Sequence, residues 1–401
     1  SITWSSLRMW LHAGEFQPRL QGCAVRAIPT FPRYRLAKPP VAKRWLGGGA
    51  ALVLLSGIIA AMAGKSGANT SIILFCMVGM VLLGGVVWFV RTIFFRLSVH
   101  HSHTWEREAE NERRHWWEIH RRQFALKDIV LIGPAGAEFS DWLRVIKREH
   151  QAPLVRQESL GKSLRIARSF SSALIEREKQ LAQMLVLQWK RQRGKELFVS
   201  PEKYFWQGSP EAWQAFVAQL IESFPEITAP ELPELWQGEK TLSVLANVLA
   251  DKKQLANFLI AGCQSLSPAS DSTRPAGECA VLWLAGNQGD VTLSRGEFFE
   301  PSDSESLRHV ALRAEKQSEL NESPERCILF SHPEQPELAD CGWNVTHNIQ
   351  DDYWGDPGKL DALVVISLAA ITAKTEAKPC GWIASDPLHT LALGIVKPHG
   401  N

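Results

Sequence analysis

The chain has 401 residues, enough for a membrane segment together with one large or two small soluble domains. A hydrophobic content of 45% is ordinary for a folded protein, and a formal net charge of +2 excludes the global basic excess that would draw a protein to nucleic acid. Nucleic acid is therefore not an expected partner.

The first 44 residues form a basic tail, with Arg33, Arg35, Lys38, Lys43 and Arg44 close to its end. Two runs free of charge follow, Trp45–Gly64 and Ser71–Val90. At 1.5 Å per residue, a helix of about twenty residues crosses the roughly 30 Å hydrocarbon core of a bilayer. Two adjacent runs of this kind predict a transmembrane hairpin over 45–98. The first begins too far from the N-terminus for a cleaved signal peptide. The connection 65–70 carries one Lys, whereas Arg91, Arg96 and Arg107 follow the second run. The positive-inside rule then puts both termini in the cytoplasm. Gly47, Gly48, Gly49, Gly79, Gly84 and Gly85 are expected to allow close helix approach, within the hairpin or with another membrane protein, and packing within the hairpin is the first expectation. Gly64-Lys65-Ser66 lacks the preceding strand and first glycine of a phosphate-binding loop and is rejected as a nucleotide site.

Residues 99–125 are dense in both charge signs, with His and Trp interleaved, and predict a surface helix leaving the membrane. His100, His101 and His103 have no Cys or other strong ligand to complete a metal site. Several of the sixteen Trp, among them Trp45, Trp88, Trp105, Trp116 and Trp117, flank the apolar runs, as amphipathic rings at a lipid interface do.

From Leu126 the pattern becomes α/β. Short apolar runs at 128–133, 257–262, 279–286, 327–331, 380–385 and 390–396 predict strands, and amphipathic stretches at 171–193, 209–224, 239–250 and 358–373 predict helices. Ser209 followed by Pro210 is an N-cap and first-turn signature. Residues 266–274 and 300–324 are expected to be polar loops. No short internal repeat is visible.

The seven cysteines, Cys23, Cys76, Cys263, Cys279, Cys327, Cys341 and Cys380, are odd in number and mostly lie in apolar runs. This predicts buried free thiols rather than a disulfide framework. The spacing of Cys327, His332, Cys341 and His347 is loosely that of a zinc site, but core thiols are the expectation there. Asn344-Val345-Thr346 matches a glycosylation sequon, which a cytoplasmic location makes irrelevant. The basic run at 190–195 is read as a helix end complementing the helix dipole. Neither a Gly-x-Ser-x-Gly nucleophile elbow nor a dinucleotide glycine pattern is present.

Three segments in order carry a family resemblance. Phe258–Leu266 contains an apolar run and Ala261-Gly262; Arg274-Pro-Ala-Gly-Glu-Cys-Ala-Val-Leu282 contains Arg-Pro, Gly-Glu and a strand; Tyr353-Trp-Gly-Asp-Pro-Gly-Lys-Leu-Asp-Ala362 leads into an apolar helix, with Cys380–Val396 as a final hairpin. Together they resemble the β-ketoacyl synthase branch of the thiolase-like fold. The resemblance covers 126–401, and implies a layered αβαβα domain preceded by the α-helical transmembrane hairpin. It also implies a homodimer through the soluble domain.

Condensation in that family needs a nucleophilic Cys at a helix N-terminus and two His that stabilise oxyanions. The resemblance places the nucleophile position near Gln237, with no Cys close by, and puts Asp352 where the second His belongs. His332 is its candidate for the first His, although Pro333-Glu334-Gln335-Pro336 follows in place of the family's Gly-Thr-Gly-Thr. No catalytic residue is then expected; Gln237, His332 and Asp352 are candidates for a vestigial site and are expected to converge. Neither cofactor nor metal is implied. The reading is a membrane-tethered, catalytically inactive ketosynthase-like scaffold or adaptor at a bacterial inner membrane, with membrane lipid and other envelope-complex proteins as partners. This architecture alone suggests an accessory of an envelope or secretion machine, with type VI secretion as the instance. The alternative is an enzyme on acyl-thioester or lipid-linked substrates, a decarboxylase or acyltransferase, using Gln237 and His332.

Overall fold

The computed structural model describes residues 28–63, 70–169, 171–196, 199–331 and 335–399. Readings that fall on Cys23, on the connection at 65–69 and on His332 lie outside these residues. The chain divides into two compact units, 1–117 and 118–401.

In the first unit, α1 (Ala42–Ala63) and α2 (Thr70–His120) are both long and apolar enough to cross a membrane. Their large side chains, such as Leu54, Ile59, Phe75 and Leu82, are exposed, as expected for helices that are apolar all round. The charged stretch after Val90 is no separate helix. It continues α2 without a break to His120, because no Gly or Pro lies between Val86 and His120 to end it. The expectation that six glycines pack the hairpin is not met. A Cβ added at Gly47, Gly48, Gly49, Gly79, Gly84 or Gly85 would have nothing within 4 Å, whereas one at Gly57 would touch Met77 Sδ at 3.5 Å.

The second unit runs β1 (Gln123–Ile132), α3 (Phe139–Ile146), the hairpin β2 (Arg156–Glu158) and β3 (Gly161–Ser163), α4 (Leu174–Arg193), β4 (Lys203–Gln207), α5 (Pro210–Ser223), β5 (Glu234–Leu235), α6 (Glu239–Ala250), β6 (Asn257–Ser265) and β7 (Glu278–Gly286). It continues through β8 (Val291–Ser294), β9 (Glu297–Phe299), α7 (Leu307–Gln317), β10 (Arg326–Leu329), α8 (Asp351–Trp354), α9 (Asp361–Glu376), β11 (Cys380–Ser385) and β12 (Leu391–Pro398). Ser209 caps α5 as its sequence predicts, its Oγ accepting the Ala212 N–H at 3.3 Å. The expectation of a polar loop over 300–324 is corrected by α7. Leu307, Val310, Ala311 and Ala314 repeat at helical spacing and are buried, but a density of charged residues hides the stripe.

One ten-stranded sheet runs in the order β10-β11-β12-β8-β1-β7-β6-β4-β5, with β9 pairing β12. It consists of two halves joined where β1 meets β8 in antiparallel register. In each half a first strand (β1 or β8) lies beside an antiparallel hairpin (β7–β6 or β12–β11), and a parallel strand follows (β4 or β10). The order ends at β5 in one half and at an isolated parallel bridge between Leu329 and Ile349 in the other. A buried helix, α6 or α9, precedes each hairpin. The fold is thus an internal duplication, although no repeat is visible in the sequence.

Alternation along the strands builds the layers. Leu259, Ala261 and Cys263 of β6 pack with α4 and α5, while Phe258 and Ile260 on the other face pack with α6 and α9. In the second half, Trp382 and Ala384 of β11 face α9 and Ile383 faces α7. Helices therefore cover both outer faces and fill the centre, giving the five layers αβαβα. Thirteen consecutive residues of α9, Asp361–Ala373, are buried, which fits a helix enclosed on every side.

Candidate functional site

The three segments that carried the resemblance meet where α9 begins. The Asp356 N–H donates to Pro275 O at 2.8 Å and the Gly277 N–H to Asp356 O at 3.0 Å, which joins the Arg274-Pro275 turn to the loop before α9. Gln264, from the end of β6, accepts the Lys359 N–H through Oε1 at 3.1 Å. Gly355 has φ +65°, and a Cβ there would stand 2.6 Å from Pro275 O, so both its conformation and the close approach require glycine.

The structure places the predicted site residues as follows. Gln237 is half-buried just before α6, and its N–H donates to Thr241 Oγ1 at 2.8 Å. Asp352 is exposed in α8. Its neighbour Asp351 is the one turned inward, accepting the Ser331 N–H at 2.7 Å through Oδ2 and lying 3.5 Å from Arg274 Nη1. His332 is outside the described residues.

A polar arrangement lies at the N-terminal ends of the two central helices. After β11 the chain turns at Ser385-Asp386-Pro387, and each of the first two residues engages one helix start. Ser385 donates to Asp361 Oδ2 through both Oγ and its N–H at the beginning of α9. Asp386 accepts the Glu239 N–H at 2.8 Å at the beginning of α6, and its other oxygen accepts the Leu388 and His389 N–H groups at 3.1 Å. Gly238 is essential to this contact. Its φ is +60°, and a Cβ there would fall 2.1 Å from Asp386 Oδ1.

A helix N-terminus carries a partial positive charge and unpaired N–H groups, the environment that stabilises a thiolate or an oxyanion. At α6 that environment is filled by a carboxylate with three backbone donors. Burial pushes the Asp361 carboxyl up to about 6, opposed by the Ser385 donors and the Arg274 charge. Behind the α6 start, Arg295 donates to Ser243 Oγ at 3.0 and 2.6 Å, and Ser243 donates to Glu239 Oε1 at 3.1 Å. Burial holds the Arg295 guanidinium below its ordinary value, partly offset by Glu239 and Glu297.

Among the described residues, no thiol takes the place of a nucleophile at the start of α6. Cys263, Cys279, Cys327 and Cys380 are buried thiols that burial pushes up, and the same effect takes Cys341 to about 11, the reverse of what activates a cysteine. Among the described residues, no group of three or more His, Cys, Asp or Glu is arranged to hold a metal. A cavity of about 90 Å³ lined by Ile129, Phe139, Trp142, Gln192 and Ile371 includes neither Gln237 nor Asp386. Glu278, the acidic residue of the Gly277-Glu278 pair, is fully buried. It accepts from Arg177, from Ser265 Oγ at 2.6 Å and from the Ile166 N–H at 2.8 Å. Burial alone would raise its carboxyl, but these donors bring it below the ordinary range.

Sequence reasoning missed Ser385, Asp386, Asp361 and Arg295. Only the turn-forming character of Ser385-Asp386-Pro387 marked the place, and nothing local connects residue 386 to a helix start at 239.

Comparison with known proteins gives structural likeness only. No protein-family model and no curated protein matches the sequence. Among solved structures, the chain is similar over 69% of its length to ChlB3, an acyltransferase, at 12% identity, 98% coverage of that chain and a TM-score of 0.46. The ishigamide ketosynthase/chain length factor is similar over 69% of this chain and 100% of its own, at 11% identity and a TM-score of 0.48. The β-ketoacyl-[acyl carrier protein] synthase III (FabH) from Thermus thermophilus is similar over 69% of this chain and 99% of its own, at 11% identity and a TM-score of 0.39.

Proposed function

We propose that this chain is a membrane-tethered, catalytically inactive ketosynthase-like scaffold or adaptor. The observation that carries the reading is the Asp386–Glu239 contact. Where a synthase of this kind would present a nucleophile near Gln237, a carboxylate closes the helix end, and no cysteine is near it. A carboxylate fixed there opposes the build-up of a second negative charge, whether thiolate or oxyanion. The α/β unit then offers surfaces rather than a reaction centre.

Tethering in a bacterial inner membrane is supported by the two apolar helices, and the Lys/Arg distribution supports both termini being cytoplasmic. An alkaline phosphatase reporter fused after Arg122 is expected to be inactive; strong activity there would overturn this orientation. The proposed partners are a second copy of the chain and proteins of an envelope complex, with a type VI secretion system as the instance to test by crosslinking in membranes and identification of the captured proteins.

The reading as a whole is tested by incubating the purified full chain with acyl- and malonyl-thioesters of coenzyme A and of acyl carrier protein. The expected result is no stoichiometric acylation of any residue and no release of carbon dioxide or free thiol above background. Turnover abolished by Gln237→Ala would establish the acyl-thioester enzyme instead.

A further inference from the structure

We infer that the segment before α1 and the part of α2 that follows its apolar stretch form a cationic collar for the headgroups of anionic phospholipids. The inference rests on the proposed membrane tether and gives the basic tail a role.

The two segments are fixed side by side. The Arg91 guanidinium donates to Lys38 O at 2.9 Å, the Ala37 N–H donates to Ser98 Oγ at 3.0 Å, and the Trp105 indole donates to Pro32 O at 3.1 Å. Residues 32–38 thus run antiparallel to 91–105, and Phe31 closes edge-on against Trp105 with ring centroids 6.4 Å apart. Ser98 and Ser102, one turn apart on α2, are buried.

This docking gathers cations from both segments. Arg33, Arg35, Lys38, Lys43, Arg44 and Arg96 are exposed, and among the described residues none has a carboxylate partner within salt-bridge distance. The sequence contains no Asp or Glu between Glu15 and Glu106, so the described residues from 28 to 105 carry no acidic side chain of their own. Its place is equally specific. Lys43 and Arg44 immediately precede the apolar run from Trp45, and Arg91 immediately follows Val90, so the charge begins where the hydrocarbon would end. A concentrated, unneutralised cationic surface at that level matches the phosphodiesters of phosphatidylglycerol or cardiolipin. The attraction falls off within about 10 Å at 0.1 M salt. At 1.5 Å per residue, the Ser98–Trp105 stretch beside Arg33 and Arg35 lies roughly 10–20 Å beyond Arg91. Lys38 and Arg96 should therefore contribute more than Arg33 and Arg35.

The test uses the full chain extracted in neutral detergent, mixed with equimolar phosphatidylglycerol and phosphatidylethanolamine, and bound lipid counted by native mass spectrometry. Phosphatidylglycerol is expected to be enriched, by about fivefold for each interfacial cation. Lys38→Gln with Arg96→Gln should remove most of this enrichment, whereas Arg33→Gln with Arg35→Gln should leave most of it. Equal retention of both lipids, or equal effects of the two double variants, overturns the collar. Carbonate washing of the source membranes separates the two readings. Release of the chain would defeat the tether and the collar together; retention without anionic enrichment would defeat the collar alone.

Discussion

Asp386 holds the first N–H of α6, on Glu239, at 2.8 Å across 147 residues of sequence. The contact is a helix cap supplied from the opposite half of the duplication, so it ties the two halves together at their shared centre. Replacing Asp386 with Ala should remove the cap and destabilise the unit by about 1 kcal/mol, while Asp386→Asn, which keeps an acceptor, should cost less. Gly238→Ala should be worse than either, because the new Cβ would collide with the Asp386 carboxylate in a backbone region that disfavours it. Denaturant unfolding of the full chain in detergent would rank the three, and a harmless Gly238→Ala would contradict the geometry.

Asp361 is buried beside this cap, with a folded-state pKa of about 6 against an ordinary 3.8. Because the folded state holds this proton more tightly than the unfolded chain, its contribution to stability is fully present below about 4. It is lost as pH rises through 6. The span corresponds to roughly 3 kcal/mol, the free energy of a shift of about two pH units. Asp361→Asn should flatten stability between pH 4 and 6 and leave Ser385 an acceptor. An unchanged slope in the variant would assign that pH dependence to other groups.

Much of the fold was legible because periodicity is local. The helix expected at 239–250 and the strand expected at 380–385 have the observed bounds, and the strand at 257–262 lengthens only to Ser265. The charged stripe of α7 concealed its buried face, and the short strand β4 lay in a run too mixed to mark. The duplication left no repeat because its halves share strand order and helix placement, which many sequences satisfy. Asp386 was invisible for another reason: a cap supplied from 147 residues away has no local signature. The glycines of the two long apolar helices do not pack the hairpin because small residues permit close packing without requiring it.

Glu278 links β7 to α4 through Arg177 and to the β2–β3 hairpin through Arg165, whose guanidinium also reaches Glu158 at 2.8 Å. Removing one member of a buried pair strands the other charge, so Glu278→Ala should destabilise the unit by about 3–5 kcal/mol. Replacing Glu278 with Leu and Arg177 with Met together should recover most of the loss. Chemical denaturation of the single and double variants measures the coupling directly, and additive losses would mean that the pair does not act as a unit.

The last prediction concerns self-association. The sheet ends at β5, a strand of two residues whose outer edge has no partner strand among the described residues. Leu232 and Leu235, at 82% and 63% exposure, stand on or beside it. Exposed backbone N–H and C=O groups flanked by large apolar side chains form a template for antiparallel pairing with a second copy about a twofold axis. The short edge limits what the backbone alone contributes, so the leucines must supply most of the stabilisation. Leu235→Lys would place a charge on each side of the axis, adding like-charge repulsion to the loss of apolar burial. Light scattering on the full chain in detergent should show a dimer that this substitution converts to monomer, while Leu388→Lys, at another exposed leucine on the Asp386 turn, should leave the dimer intact. A dimer that survives Leu235→Lys would place the self-association surface elsewhere.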